Sequence, residues 1–297
     1  MKVFITGITG YLGGSVASRL KAEGATVTGL VRRADQAELM EAAGFRSVIG
    51  SLDDGRLLAS SAALADVVVN AASSDHAMAV DALIEGLAGT GKTLVHSSGS
   101  SLIADDAHGE YGDRIHDEST PLMPVPQKAH RLAIDTAVRR SALRGLRPMV
   151  LCNSLIYGEG LGAKKDSIQI PFLAAQASRS GARYIGPGRN ITSSVHIDDV
   201  VRAYHLAIER GRSGAFYFVE SGEVSFGDLV RQLNRLHGHP ADGSWTIDEA
   251  SAVLGNEKAR FTFGSNTRMR GIATRHDLDW TPKGPTALAF LSDRYAK

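Results

Sequence analysis

Near the start of the chain, Gly7-Ile8-Thr9-Gly10-Tyr11-Leu12-Gly13 separates two runs of opposite pattern. The apolar run Val3-Phe4-Ile5 before it has the length and composition of a buried strand, and Leu12, Val16 and Leu20 fall on one face of a helix. A glycine-rich turn from strand to helix lets the backbone approach a diphosphate, and Gly13 lets the helix pack closely on the sheet. The helix start adds free N–H groups and the positive end of a dipole. Gly7, Thr9, Gly10, Tyr11, Leu12 and Gly13 are therefore expected to cradle the phosphates of a dinucleotide. The spacing is GxxGxxG rather than GxGxxG, so the flanking strand and helix carry the assignment.

The next apolar run ends Gly29-Leu30-Val31-Arg32-Arg33. A carboxylate at this point ordinarily accepts from the adenosine ribose, whereas an arginine pairs with a 2′-phosphate. No carboxylate stands at the strand end, and Asp35 already belongs to the next turn, so Arg32 and Arg33 point to NADP(H). Ser51 and Leu52 follow the third strand and are expected to border the adenine. Ala71, Ala72 and Ser73, after Asn70, are small enough to let the cofactor pass. Ser97, Asn153 and Leu155, at the ends of later strands, complete the expected cofactor set.

These motifs, together with His96-Ser97-Ser98, Ile156-Tyr157-Gly158-Glu159-Gly160, Val195-His196-Ile197-Asp198-Asp199-Val200 and Asp279-Trp280-Thr281-Pro282, carry a resemblance. In this order they resemble the extended short-chain dehydrogenase/reductase family, which includes NAD-dependent epimerases and dehydratases, over nearly the whole chain. The resemblance implies a Ser or Thr after the fifth strand and a Tyr-x-x-x-Lys on the following helix, the Tyr acting as general acid or base. Here the chain departs. Gln127 falls at the Tyr position and Arg131 at the Lys position, and the Ser position falls on or beside Gly99. Tyr111 does not restore the motif, because Ile115 stands four residues later. The chain thus resembles an atypical branch without the Tyr–Lys pair.

Gln127 cannot donate a proton at neutral pH, and Arg131 stays protonated. Arg131 can still hold a ribose hydroxyl or stabilise an alkoxide. Ser98 and Ser100 could bind a carbonyl oxygen, although serines after a strand also cap turns. Tyr157 is placed either to donate the missing proton or to pack in the turn into the second half of the chain. Ser98, Ser100, Arg131 and Tyr157 are the catalytic candidates. His130 reads as a surface helix residue. His196 and Asp199 resemble a metal pair, but lack a third ligand, so no metal is expected. Asp198 reads as the N-cap of the next helix.

The elements that must position these residues alternate. Strands are expected at Lys2–Thr6, Thr26–Val31, Ser47–Ile49, Val67–Asn70, Thr93–Ser97 and Pro148–Cys152. Helices are expected at Tyr11–Glu23, Gln36–Ala43, Gly55–Ala63, Ala77–Leu87 and Lys128–Leu143. The alternation predicts an α/β fold, a Rossmann-type doubly wound parallel sheet with ligands outside the carboxyl ends of its strands. Gly86-Leu87-Ala88-Gly89-Thr90-Gly91-Lys92-Thr93 fits the P-loop pattern, but it would leave a helix and enter a strand, the reverse of a working P-loop. The acidic, aperiodic segment Asp105–Pro126 reads as a functional or mobile loop. Residues 1–156 form the expected dinucleotide domain. Residues 157–297 form mainly a smaller C-terminal substrate lobe, with 199–219 crossing back. Helices are expected near Pro171–Ser180, Asp199–Glu209 and Phe226–Leu236, and a strand at Ala215–Val219.

The chain has 297 residues, 33 Lys plus Arg against 32 Asp plus Glu, and one cysteine, Cys152. Such balance offers no field for nucleic acid or an anionic membrane, and a lone cysteine excludes an internal disulfide. Met1-Lys2 leads straight into the first strand, so no signal peptide is expected and the chain reads as soluble and cytoplasmic. The expected partner is a small-molecule substrate, and the resemblance makes a homodimer plausible. The leading functional reading is an NADP-dependent oxidoreductase acting on a small carbonyl or imine. The alternatives are a catalytically silent NADP(H)-binding redox sensor or regulator, and a sugar-nucleotide epimerase or dehydratase.

Overall fold

Val3 and Ile5 of the first strand turn to one face of a sheet and Phe4 to the other, and all three are buried. This two-sided burial marks a strand that needs helices on both faces. The computed structural model describes residues 1–296. Six strands, β1 (Lys2–Thr6), β2 (Thr26–Val31), β3 (Arg46–Ile49), β4 (Val67–Asn70), β5 (Thr93–Gly99) and β6 (Arg147–Asn153), are all parallel. The helices between them are α1 (Tyr11–Ala22), α2 (Ala34–Ala42), α3 (Gly55–Ala63), α4 (Ala77–Leu87) and α5 (Ala129–Arg140). The chain then forms β7 (Leu155–Tyr157), α6 (Gln169–Arg179), β8 (Ile191–His196), α7 (Ile197–Arg210), β9 (Ala215–Val219), β10 (Gly222–Ser225), α8 (Phe226–Leu236), α9 (Ile247–Leu254), α10 (Ile272–Leu278) and α11 (Ala287–Tyr295).

The main sheet has seven strands in the order β9-β6-β5-β4-β1-β2-β3. Strand order reverses between β1 and β4, and this is where a doubly wound sheet opens a crevice at its carboxyl edge. One face is covered by α1, α2 and α7, which contribute Val16, Leu20, Met40, Val200 and Tyr204 to the buried core. The other face is covered by α3, α4 and α5, through Leu58, Leu83, Ile134 and Val138. A third cluster fills the smaller lobe, where α6, α8 and α11 pack around the sheet β10-β8-β7.

The expected elements of the first half are present, with boundaries moved by identifiable chemistry. The expected Lys128–Leu143 helix is shorter: Pro126–Lys128 is a 3₁₀ turn leading into α5, and Ser141–Arg144 is another, closed by Gly145 at φ 73°. The P-loop look-alike is a helix stop. α4 ends at Leu87, Gly89 and Gly91 take φ of 72° and 69°, and Lys92 Nζ donates to the Ala63 carbonyl at 2.7 Å.

The 105–126 segment is not a free loop. Asp105 accepts from the Asn266 backbone N–H and from its Nδ2, both at 2.8 Å, and Asp106 pairs with Arg260. His116–Asp117 forms a short parallel pairing with Met269–Arg270. Glu118 takes N–H donors from Phe218, Ala273 and Thr274 at 3.1–3.2 Å, so its carboxylate caps the start of α10. Among the described residues no helix is long and apolar enough to cross a membrane.

Candidate active site

The turn after β1 is pressed against its neighbours so tightly that only glycine fits. Gly7 has φ 77°, and a Cβ there would stand 2.8 Å from the backbone of Ala71 and Ala72. A Cβ on Gly13 would come within 2.3 Å of the Gly7 carbonyl oxygen. Gly10 caps α1 with no side-chain hydrogen bond, so the first N–H groups of the helix remain free for an anion. Thr6 Oγ1 donates to Asn70 Oδ1 at 2.6 Å and bridges the ends of β1 and β4 beneath the turn. These features fit the diphosphate of a dinucleotide, with Gly7, Thr9, Gly10, Leu12, Gly13, Ala71 and Ala72 around it. Tyr11 braces the arrangement from the other side: its hydroxyl donates to the Gly158 carbonyl at 3.0 Å, and its ring lies where a Cβ on Gly160 would be. Burial raises the Tyr11 pKa, and the charges of Asp198 and Asp166 add to the rise.

At the adenosine end the two arginines differ. Arg33 is already engaged, with Nε and Nη2 both 2.8 Å from the Asp35 carboxylate. Among the described residues Arg32 uses only its backbone N–H, on Gln36 Oε1, and its exposed guanidinium at the end of β2 has no ion-pair partner. Ser51 Oγ accepts from the Asp53 N–H, Leu52 packs on the core, and Ser73 Oγ accepts from the Asp75 N–H.

A cleft of about 530 Å³ lies between the carboxyl ends of β5 and β6 and the smaller lobe. Tyr11, Leu12, Ser98, Ser100, Ser101, Arg131 and Asn153 line one side, and Ile156, Lys164, Phe261 and Phe263 line the other. A groove of about 590 Å³ on the outer side of α1, between Ile8, Met40 and Phe45, carries no comparable polar set. Chemistry therefore belongs to the cleft.

Arg131 is buried, with 9% of its surface exposed. Its Nε reaches Asp75 Oδ1 at 2.8 Å, its Nη2 holds the other oxygen, and its Nη1 donates to Ser101 Oγ at 2.6 Å. Burial opposes its charge, but the hydrogen bonds and charge of Asp75 outweigh it, so its pKa is raised. Ser98 lines the cleft, but its single proton goes to Asp135 Oδ2 at 2.7 Å. Asp135 lies 3.4 Å from His96 Nε2, and His96 Nδ1 meets Asn70 Nδ2 at 3.0 Å, completing a buried polar chain beneath the cleft. Nδ1 accepts from Asn70, whereas Nε2 and Asp135 Oδ1, 3.4 Å apart, make no hydrogen bond among the described residues.

Several expectations are corrected. Tyr157 does not line the cleft. Its hydroxyl donates to the Pro285 carbonyl at 2.5 Å, its ring packs on His196 and Phe290, and burial pushes its pKa up to about 12. Tyr157 is therefore a packing residue of the smaller lobe. Ser98 is not positioned to donate to a carbonyl oxygen, because its proton is spent on Asp135. Leu155 points into the third core cluster, and its neighbours Ser154 and Ile156 line the cleft instead. Ser97 lies behind the cleft wall, accepting from the Tyr204 hydroxyl at 2.7 Å. Gln127, at the position of the family's Tyr, is exposed, and the neighbouring Lys128 faces the cleft. The cap of α7 is His196, whose Nδ1 accepts from the Asp198 N–H. Asp199 takes the N–H groups of Lys283 and Gly284 at 2.8 Å, anchoring the C-terminal turn. No cluster of potential metal ligands occurs among the described residues.

The pattern of the NAD dependent epimerase/dehydratase family matches residues 3–219. The chain belongs to the NAD-dependent epimerase/dehydratase family. The oxidase ucsJ of Acremonium sp is 30% identical over 98% of this chain and 95% of its own. The 4-hydroxy-2-methyl-3-oxo-4-farnesyl-3,4-dihydroquinoline-1-oxide ketoreductase of Stigmatella aurantiaca is 30% identical over 86% and 80%. The fold matches the dTDP-glucose 4,6-dehydratase DesIV of Streptomyces venezuelae, solved with NAD and TYD bound, at a TM-score of 0.77 and 20% identity over 99% and 97% of the two chains.

As a member of this family the chain builds its cleft with residues that its sequence does not advertise. Ser101 is the serine whose proton remains available, because Arg131 donates to it. Lys128 and Glu257 form an ion pair on the cleft wall, and the turn Ala259–Phe263 winds as a π-helix that presents Phe261, Thr262 and Phe263. Such turns recur at ligand sites. Lys128, one position past Gln127, was the one signal of this set available in the sequence.

Proposed function

We propose that this protein is an NADP(H)-dependent reductase of a small carbonyl or imine compound, able to run the reverse oxidation. The observation that carries this reading is the Ser101–Arg131 pair at the mouth of the cleft, with the arginine fixed by Asp75. When bound, the nicotinamide supplies or accepts the hydride. Ser101 Oγ, accepting from Arg131, turns its own proton toward the substrate oxygen or nitrogen, and Ser100 is a second hydroxyl on the same wall. Arg131 stabilises negative charge that develops there. A cationic imine needs no proton donor at the carbon that is reduced, and an alkoxide held by Ser101 takes its proton from water in the cleft. The site therefore suits reduction without a tyrosine acid.

NADP(H) rather than NAD(H) is supported by the Arg32 guanidinium at the end of β2, which has no ion-pair partner among the described residues. The two relatives, an oxidase and a ketoreductase by name, both carry redox activities. The test is a panel of aldehydes, ketones and imines followed at the absorbance band of reduced nicotinamide. Consumption of NADPH with one substrate class is the expected result. Tight NADPH binding with no consumption across the panel overturns the reading and leaves a cofactor-binding regulator.

A further inference from the structure

Lys128 is the most deeply buried cation of the cleft, with 3% of its surface exposed. Its ammonium meets Glu257 and lies 5.7 Å from the centre of the Phe261 ring. The pairing is lopsided: the lysine side chain is 4% exposed and the glutamate side chain 71%. A buried ammonium needs a counter-charge, but an exposed carboxylate gains little from serving as one. Glu257 sits on the short turn Asn256–Lys258, beyond Gly255 at φ 81°, and can withdraw into water. Lys164 and Lys258 also line the cleft, and neither has an ion-pair partner among the described residues. The cleft thus carries excess positive charge, beside the apolar surface of Ile156, Ile168, Phe261 and Phe263.

We propose that the substrate carries a carboxylate, which docks on Lys128 by taking the place of Glu257. This rests on the reductase reading of the same cleft and names its substrate class. The exchange keeps a counter-charge on the buried ammonium throughout, so the site does not pay the penalty of an unpaired ion. Lys128 and Arg131 stand three positions apart at the start of α5, on the same side of the helix. A carboxylate on Lys128 therefore lies within a few bonds of a group held by Ser101, as in a 2-oxo or 3-oxo acid, or its imine. The phenyl-lined wall receives an aromatic or alkyl body.

The test uses 3-phenylpropionate and its neutral isostere 3-phenylpropanamide, titrated calorimetrically into the protein with and without saturating NADP⁺. The wild type should bind the carboxylate at least tenfold more tightly than the amide. Lys128→Met should erase that preference, Lys128→Arg should retain part of it, and Glu257→Gln should tighten carboxylate binding severalfold by removing the competitor. Equal binding of acid and amide, carboxylate binding that survives Lys128→Met, or no saturable binding in either wild type or Glu257→Gln would overturn the proposal. Glu257 is exposed, so its substitution gives an answer even if Lys128→Met fails to fold. NADP⁺ titrations of the same variants separate the two readings. A wild type that does not bind NADP⁺ sinks the reductase reading and leaves the carboxylate result standing, whereas an NADP⁺ affinity that falls with Lys128→Met assigns the lysine to cofactor phosphate and sinks this proposal.

Discussion

Arg131 grips Asp75 with two parallel hydrogen bonds, and so α5 is tied to the segment that follows β4. A guanidinium held this way has one nitrogen left, and that nitrogen is on Ser101. Arg131→Ala should lower kcat by ~10²–10³, the scale for losing one charge-stabilising donor. Asp75→Asn leaves the arginine charged but loosely aimed, and should cost about tenfold. Ser101→Ala should lower kcat more than Ser98→Ala, since the Ser98 proton is already committed to Asp135 and that of Ser101 is not. Steady-state kinetics on the best substrate of the panel decide the ranking, and a larger loss for Ser98→Ala would reverse the assignment of the two serines.

The two arginines after β2 should separate cleanly in binding experiments. Arg32→Ala should weaken NADPH about tenfold or more and leave NADH unchanged, because a charge-assisted contact to the 2′-phosphate is lost. Arg33→Ala should have the smaller effect, because Asp35 already occupies its fork. Fluorescence titration with both cofactors measures this. Equal affinity of the unsubstituted protein for NADPH and NADH would rule out a 2′-phosphate site.

Tyr157→Phe should change kcat by no more than about twofold, because water rather than this hydroxyl supplies the proton. It should instead destabilise the protein by ~1 kcal/mol through loss of the hydrogen bond to Pro285, as read from urea unfolding. A fall in kcat of ~10² or more with unchanged stability would restore Tyr157 as the acid.

His116 gives stability a pH dependence. Burial, reinforced by the charge of Arg114, holds its pKa below the ordinary imidazole value, and its Nδ1 has no partner among the described residues. In the unfolded chain the same ring titrates near pH ~6.5. The unfolded state therefore binds the proton more readily, and the stability due to a neutral His116 is present above that pH and lost as pH falls through the folded-state value. Unfolding midpoints between about pH 8 and about pH 5 should decline for the wild type and decline less for His116→Phe. Parallel curves for the two proteins would show that another group is responsible.

The first half of the fold is legible because each element has its own local signal. Val67-Val68-Val69 can only be a two-sided strand, and Gly7 and Gly13 mark the turn before a helix. The smaller lobe is harder because β8 reads Ile191-Thr192-Ser193-Ser194-Val195-His196, too polar to look buried. Its Thr192 and Ser193 are nonetheless buried, satisfied by Thr267 and by the backbone of Met269, partners that local sequence does not reveal. The site divides in the same way. The glycine turn is local, whereas Lys128 meets Glu257 across 129 positions and Tyr157 meets Pro285 across 128. Of the two readings open to Tyr157, packing is the one its surroundings select, and those surroundings come from Pro285 and Phe290 more than 120 positions away.

Leu278 and Trp280 lie in the same buried cluster as Val3 and Ile5, so one core is shared by the two ends of the polypeptide. During synthesis β1 to β5 emerge long before these closing residues, and the outer edge of β6 waits for β9. A nascent chain in that interval presents an open apolar face and an unpaired strand edge to its surroundings. This core is therefore sealed only after Leu278 and Trp280 have left the ribosome. A message cut short before Leu278 yields a product with an unsealed interior, destined for chaperones and proteases rather than for partial activity.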